Sequence, residues 1–199
     1  MGAVMMEHLI AVTDRNLCQR DFFVQIERIC RQKPDRIILR EKDLPDDIYI
    51  KYVQKCKILC SAYGIPLSVN GRIEIAKSLS VPDIHLSYQA LIGRPEVISE
   101  FSHTGVSIHS VEEAAQAARL GVSYIIAGHI FATDCKKDLP PRGLPFLRNV
   151  CRTVLNISAQ TGQSPIPVYA IGGISFYNLS QVIASGAAGG CMMSAAMQL

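Results

Sequence analysis

Short apolar runs of four or five residues recur along the chain, each followed by a polar turn and then by a stretch with apolar residues every third or fourth position. Runs of that length predict strands buried on both faces, and the longer spacing predicts helices packed along one side. His8-Leu-Ile-Ala-Val12 is the first run and ends at Thr13-Asp14, a turn and helix-cap pair. Phe22, Phe23, Ile26, Ile29 and Cys30 then mark a helix, and Pro34-Asp35 breaks it before the second run, Arg36-Ile-Ile-Leu39. A helix over about 46–62, with Ile48, Tyr52, Cys56 and Leu59 on its buried stripe, stops near Gly64. Pro66-Leu-Ser-Val69 and Asp83-Ile-His-Leu86 are strands three and four, separated by a helix carrying Ile73, Ala76 and Leu79. After a short helix, Thr104-Gly-Val-Ser-Ile108 is strand five. Ser110-Val-Glu-Glu113 has the order of a capping box for a helix over 111–120. Tyr124-Ile-Ile-Ala127, Val168-Tyr-Ala-Ile171 and Gly190-Cys-Met-Met193 complete the strands, with helices over about 144–160 and 178–185 between them.

Eight strands with a helical pattern in all seven intervals imply parallel neighbours joined by right-handed crossovers. That is an α/β (β/α)8 TIM barrel, a single domain over residues 1–199. An open doubly wound sheet has fewer strands and a glycine-rich turn after the first, which Thr13-Asp-Arg-Asn16 lacks. Only Ser194 to Leu199 follow strand eight, so the eighth helix is expected to be truncated. The wall there is either open or covered by a second copy, a homodimer.

Composition narrows the function classes. The chain has 199 residues, 49% hydrophobic and 19% charged, enough for one sizeable core. A net charge of +3 without a basic run argues against nucleic acid and for a small anionic ligand. Seven cysteines, an odd count without metal-ligand spacing, point to reduced thiols and a cytoplasmic location rather than a disulfide framework. No apolar run reaches membrane-spanning length and the amino terminus lacks a leader pattern, so no membrane partner is expected.

In such a barrel the strand ends meet at one mouth, and Gly121 to Lys137 is the stretch richest in chemistry there. A buried strand emerges at Gly128 and His129 into a loop with Thr133, Asp134, Cys135, Lys136 and Lys137. Among five histidines, His8 and His103 are expected to be structural or exposed, and His85 to be a satisfied core histidine. His109 and His129 lie at strand ends, where a group of ordinary pKa about 6.5 can exchange protons near neutrality. His129 is the better candidate. Gly172-Gly173 after strand seven and Ser194 after strand eight occupy the usual phosphate region of these barrels, where backbone N–H groups can meet an anion. The competing reading of the glycine pair is a tight turn alone. Arg40, Lys42 and Lys136 bring cations suited to a carboxylate as well as a phosphate. No acidic pair stands at neighbouring strand ends, so no metal site of the carboxylate kind, and no cofactor, is expected.

Leu39-Arg-Glu-Lys42, Val106-Ser-Ile-His-Ser110, Gly128-His-Ile-Phe-Ala-Thr133 with Lys136, Pro141-Arg-Gly-Leu144 and Ala170-Ile-Gly-Gly-Ile174 resemble the thiamine phosphate synthase/TenI superfamily, in order and across the whole chain. The resemblance implies a (β/α)8 barrel. The synthase pattern has Asn-Asp where this chain has Asn70-Gly71, an acidic residue where it has Ala90, and Gln where it has Ile38. Gly128-His129 and Asp134-Cys-Lys-Lys137 look like the TenI branch, the thiazole tautomerase, where a synthase has Gly-Pro. What that likeness implies is an isomerase of thiamine biosynthesis, shifting a proton on a carboxythiazole phosphate without metal. His129 relays the proton in this assignment. Gly172, Gly173, Met193 and Ser194 hold the phosphate, Arg40, Lys42 and Lys136 meet the anions, and Asn70, Ser107 and Thr133 bind or orient the ligand. The alternatives are a thiamine phosphate synthase, displacing pyrophosphate with magnesium, and a non-catalytic regulatory protein that binds a phosphate ligand.

Overall fold

The structure, a computed structural model, describes residue 6, residues 8–133 and residues 139–199. Its eight parallel strands follow one another in the order β1 to β8 of a closed barrel, the (β/α)8 class that the apolar pattern predicts. They are β1 (Leu9–Val12), β2 (Arg36–Leu39), β3 (Leu67–Asn70), β4 (Asp83–Ser87), β5 (His103–Ile108), β6 (Tyr124–Gly128), β7 (Val168–Ile171) and β8 (Gly189–Met192). The helices are α1 (Phe22–Arg31), α2 (Asp46–Tyr63), α3 (Ile73–Ser78), α4 (Tyr88–Gly93), α5 (Val97–Glu100), α6 (Val111–Leu120), α7 (Gly143–Thr161), α8 (Leu179–Ile183) and α9 (Ser194–Met197). The last is four residues long, the short final helix expected. His103, expected in a connection, is the first residue of β5. Among the described residues no helix is long and apolar enough to cross a membrane, and none of the described cysteines forms a disulfide.

By its contacts the chain divides into two compact units, residues 1–84 with 192–199 and residues 85–191. In the first, Ile10 stands beside Arg36 and Ile37 beside Leu67 in the parallel ladder β1-β2-β3. Leu9, Ile10, Ala11, Ile37, Ile38, Leu39 and Val69 are all buried. Burial on both faces explains why these strands read as unbroken apolar runs. Each of the leucine, isoleucine and valine side chains contributes roughly 1.5–3 kcal/mol by leaving water.

Asp21 caps α1 by accepting from the N–H groups of Phe23 and Val24. The aromatic rings of Phe22 and Phe23 lie 4.9 and 5.0 Å from that of Tyr52, which joins α1 to α2. The buried stripe of α2 is Tyr49, Val53, Cys56 and Cys60. It is rotated by about one residue from the expected Ile48, Tyr52, Cys56 and Leu59, because Tyr49 reaches inward to donate its hydroxyl to the Leu39 carbonyl at 2.7 Å. Gly64 ends the helix in the left-handed region, as its sequence position suggests. On α1 the one polar residue of the buried face, Gln25, donates from its side chain to the Ala196 carbonyl at 2.7 Å and so anchors α9.

In the second unit β5, β6, β7 and β8 pair in register, with Val106 beside Ile125, Ile126 beside Tyr169 and Ala170 beside Gly190. Ser110 caps α6, accepting from Glu113 N–H at 3.1 Å. The Glu113 carboxylate returns to the His109 N–H at 2.6 Å, one residue before the partner a capping box would choose. α6 and α7 pack against each other, and the small buried residues of α6, Ala114, Ala117 and Ala118, permit a close approach.

Candidate active site

At the carboxyl ends of β1, β2 and β3 buried strands give way to charged loops, where parallel α/β folds build their sites. Thr13, fully buried, donates its hydroxyl to Glu41 Oε1 at 2.7 Å and accepts the Arg40 N–H at 2.9 Å. The Arg15 N–H meets both Glu41 carboxylate oxygens, at 3.1 and 3.0 Å. The Arg15 guanidinium lies 3.3 Å from Glu41 Oε2 and 2.5 Å from Asp43 Oδ1. Glu41 is only 2% exposed. Burial pushes its carboxyl above the ordinary value although its hydrogen bonds pull the other way, whereas the Arg15 guanidinium lowers exposed Asp43 to about 2.

These ties fix the backbone on either side of Lys42. Lys42 is exposed and Arg40 half-buried, and neither side chain makes an ion pair or hydrogen bond among the described residues. Arg72 is committed. Its guanidinium lies 4.2 Å over the Tyr49 ring, 2.6 Å from Asp46 Oδ1, and donates to the Leu44 and Glu41 carbonyls. Between these groups runs a groove of about 340 Å³ lined by Glu41, Lys42, Asn70, Gly71 and Arg72.

The second unit gathers a different set. His85, on β4 and 4% exposed, bridges Tyr124 and Ser107. Nδ1 lies 3.1 Å from the Tyr124 hydroxyl and Nε2 lies 2.8 Å from Ser107 Oγ. A neutral imidazole has one donor and one acceptor nitrogen, so both are satisfied and the half-buried Ser107 hydroxyl is held in place. His85 is thus the satisfied core histidine expected, with the added task of bracing Ser107. Gly105 lets the Tyr124 ring lie flat on β5, since a Cβ there would be 2.0 Å from Tyr124 Cζ.

His129 is 5% exposed, and its Nε2 donates to the Leu139 carbonyl at 3.2 Å. Gly128 is glycine because β7 is close: a Cβ would lie 2.4 Å from Ile171 Cγ2 and 2.7 Å from the Ile171 carbonyl oxygen. Gly172 has φ +97°, and a Cβ on it would meet His129 Cβ at 2.3 Å, so the glycine pair is first of all a packing partner of the chain after β6. Gly173 follows in the left-handed region, its carbonyl accepting from Asn178 Nδ2 at 2.8 Å. His109, exposed, donates from Nδ1 to the Gly128 carbonyl at 2.9 Å.

Of the residues singled out in the sequence, Lys42 and Asn70 line one groove with Arg40 at its edge in the chain, and Ser107 joins His85 and Tyr124. His129 packs with Gly172. Thr133 is half-buried after the strand-six loop begins, and Met193 and Ser194 open α9. Lys136, with Asp134, Cys135 and Lys137, lies outside the described residues. Sequence reasoning missed Glu41, Arg15, Arg72 and Tyr124. Arg72 carried a local signal, a cation directly after the Asn70-Gly71 turn, and Glu41 stood within the Leu39-Arg-Glu-Lys42 motif.

Comparison with known proteins places this geometry in context. The family model described as thiamine monophosphate synthase matches residues 9–196. A thiamine-phosphate synthase of Clostridium acetobutylicum is 34% identical over 184 residues, 91% of this chain and 82% of that protein. Another, of Roseiflexus castenholzii, is 32% identical over 188 residues, 92% of this chain and 78% of that protein. The thiamine phosphate pyrophosphorylase of Pyrococcus furiosus superposes with a TM-score of 0.76 at 26% identity, covering 96% of this chain and 88% of that one. These relatives overturn the expected thiazole tautomerase: they are named for synthesis of thiamine phosphate, not for isomerisation. The His129 ring is held by the Leu139 carbonyl and packed on Gly172.

Proposed function

Because the chain belongs to the thiamine monophosphate synthase family over residues 9–196, we propose that it is a thiamine-phosphate synthase, a transferase in which a thiazole phosphate displaces pyrophosphate from a pyrimidine pyrophosphate. The observation that carries the reading is the groove at the ends of β2 and β3, where Lys42, Asn70 and Arg72 face a space of about 340 Å³. Two anionic substrates need fixed cations, and charge-assisted hydrogen bonds to phosphate are about twice as strong as neutral ones. Arg40, Lys42 and Asn70 answer the pyrophosphate end. Ser107, braced by His85, offers a hydroxyl to a ring. Gly172, Gly173, Met193 and Ser194, with Thr133, are assigned to the thiazole phosphate by family resemblance.

Synthases of this family pair the pyrophosphate with magnesium, and the residues here do not fit that ion. Gly71 and Ala90 stand where the synthase pattern has acids. Glu41, the carboxylate lining the groove, is buried and already bonded to Thr13 and Arg15. Among the described residues no group of three or more His, Cys, Asp or Glu side chains is placed to hold a metal. The chemistry assigned to this chain is therefore what its own residues do: hold the anionic groups and orient the rings of the two substrates.

Incubating the protein with both substrates tests the reading. Thiamine phosphate and pyrophosphate should appear in equal amounts above the rate without protein. The same Gly71 and Ala90 favour a second reading, a phosphate-ligand-binding protein without turnover, which would bind the substrates and release neither product.

A further inference from the structure

We propose that the groove over Gly71 holds a diphosphate anion on side-chain cations alone, with no divalent ion between protein and ligand. This rests on the synthase reading only in taking the anion to be that reaction's leaving group. Beside a phosphate ligand a magnesium ion keeps several waters and takes one or two protein carboxylates whose oxygens are free to bind it. The groove presents one carboxylate, Glu41, whose oxygens accept from the Thr13 hydroxyl and from the Arg15 N–H and guanidinium. Lys42 and Arg72 line the same space and would repel a dication while attracting an anion.

Gly71 leaves the centre of the groove open. Its φ is +74°, and a Cβ built on it would meet nothing within 4 Å. The opening where the synthase pattern has a carboxylate is thus free space rather than a gap closed by repacking. Arg72 is held over Tyr49 and against Asp46, so its charge is in place before a ligand arrives and little side-chain freedom is lost on binding. Lys42, exposed and without an ion-pair partner among the described residues, is available to close on the anion.

Titration calorimetry with inorganic pyrophosphate, in EDTA and again in excess magnesium, tests this. Binding is expected in EDTA, with magnesium leaving it unchanged or weakening it, since the ion neutralises the ligand. Lys42→Ala should lower the EDTA affinity on the order of tenfold, and Lys42→Arg should restore most of it. Aspartate tolerates left-handed backbone better than most residues. Gly71→Asp should therefore fold, bind pyrophosphate on the order of tenfold more weakly in EDTA, and recover affinity when magnesium is added. Binding that requires magnesium in the unaltered protein overturns the inference, as does no binding in either buffer. Metal-free binding without coupled product would count against the synthase reading alone. Coupled product without binding in EDTA would count against this inference alone.

Discussion

After β2 the chain leaves its strand through charged side chains that hold one another, Thr13 to Glu41, Glu41 to Arg15, Arg15 to Asp43. After β6 and β7 it leaves through glycines packed so closely that added Cβ atoms at 128 and 172 would fall 2.4 and 2.3 Å from their neighbours. Both regions come off buried strands, yet one is built by side-chain electrostatics and the other by backbone proximity. The first should respond to pH, salt and change of charge. The second should be indifferent to those and intolerant of one extra carbon.

The largest expected effect is in the glycine region. Gly172→Ala combines left-handed strain with overlap against His129 and should cost roughly 3 kcal/mol or more, a fall in Tm of about 6–12 °C for a chain of this size. A thermal melt that moves by less than about 2 °C would mean the two turns are not as close as they stand here. Next comes the latch. Thr13→Val removes a buried hydroxyl and leaves the Glu41 carboxylate short of a partner, which should cost about 2 kcal/mol by urea unfolding; a neutral result would show that the latch does not hold the loop.

The pH responses are smaller and opposite in sign. Glu41 binds its proton more tightly in the fold than out of it, so stability from this group is greatest below the ordinary value of 4.5 and declines as pH rises through the interval above it. Asp43, lowered from 3.8 to about 2 by Arg15, adds stability that is present above 3.8 and lost as pH falls toward 2. Glu41→Gln should flatten the first slope and Asp43→Asn the second, the latter weakly because the group is exposed and screened. Unfolding curves from pH 2 to 7 read both. Smallest of all is the stability change in Lys42→Ala, expected within about 0.5 kcal/mol because the side chain is exposed. That makes it a clean probe of ligand affinity.

Much of this fold was legible because buried parallel strands and one-sided helices leave periodic marks. The runs at 36–39 and 168–171 and the helix at 111–120 coincide with β2, β7 and α6. The buried stripe of α2 was misplaced by about one residue because nothing local says that Tyr49 will reach the Leu39 carbonyl. Of the residues singled out in the sequence, Lys42 and Asn70 line the groove at the ends of β2 and β3. The site was not legible where partners lie far apart in sequence: Glu41 is 28 residues from Thr13, and His85 is 22 from Ser107 and 39 from Tyr124. The choice of tautomerase came from the likeness of Gly128-His129 and Asp134-Cys-Lys-Lys137 to the TenI branch, together with Gly71, Ala90 and Ile38 where the synthase pattern differs. Position alone does not tell whether an imidazole is open to a ligand or, as here, 5% exposed and bonded to a carbonyl.

If the cationic groove serves a coupling reaction, both products form together. The most direct measurement is simultaneous quantification of thiamine phosphate and pyrophosphate during incubation with the thiazole phosphate and the pyrimidine pyrophosphate. The expected result is one-to-one accumulation that depends on the protein and falls strongly in Lys42→Ala. Neither product rising above the protein-free rate, with both substrates bound, would contradict it.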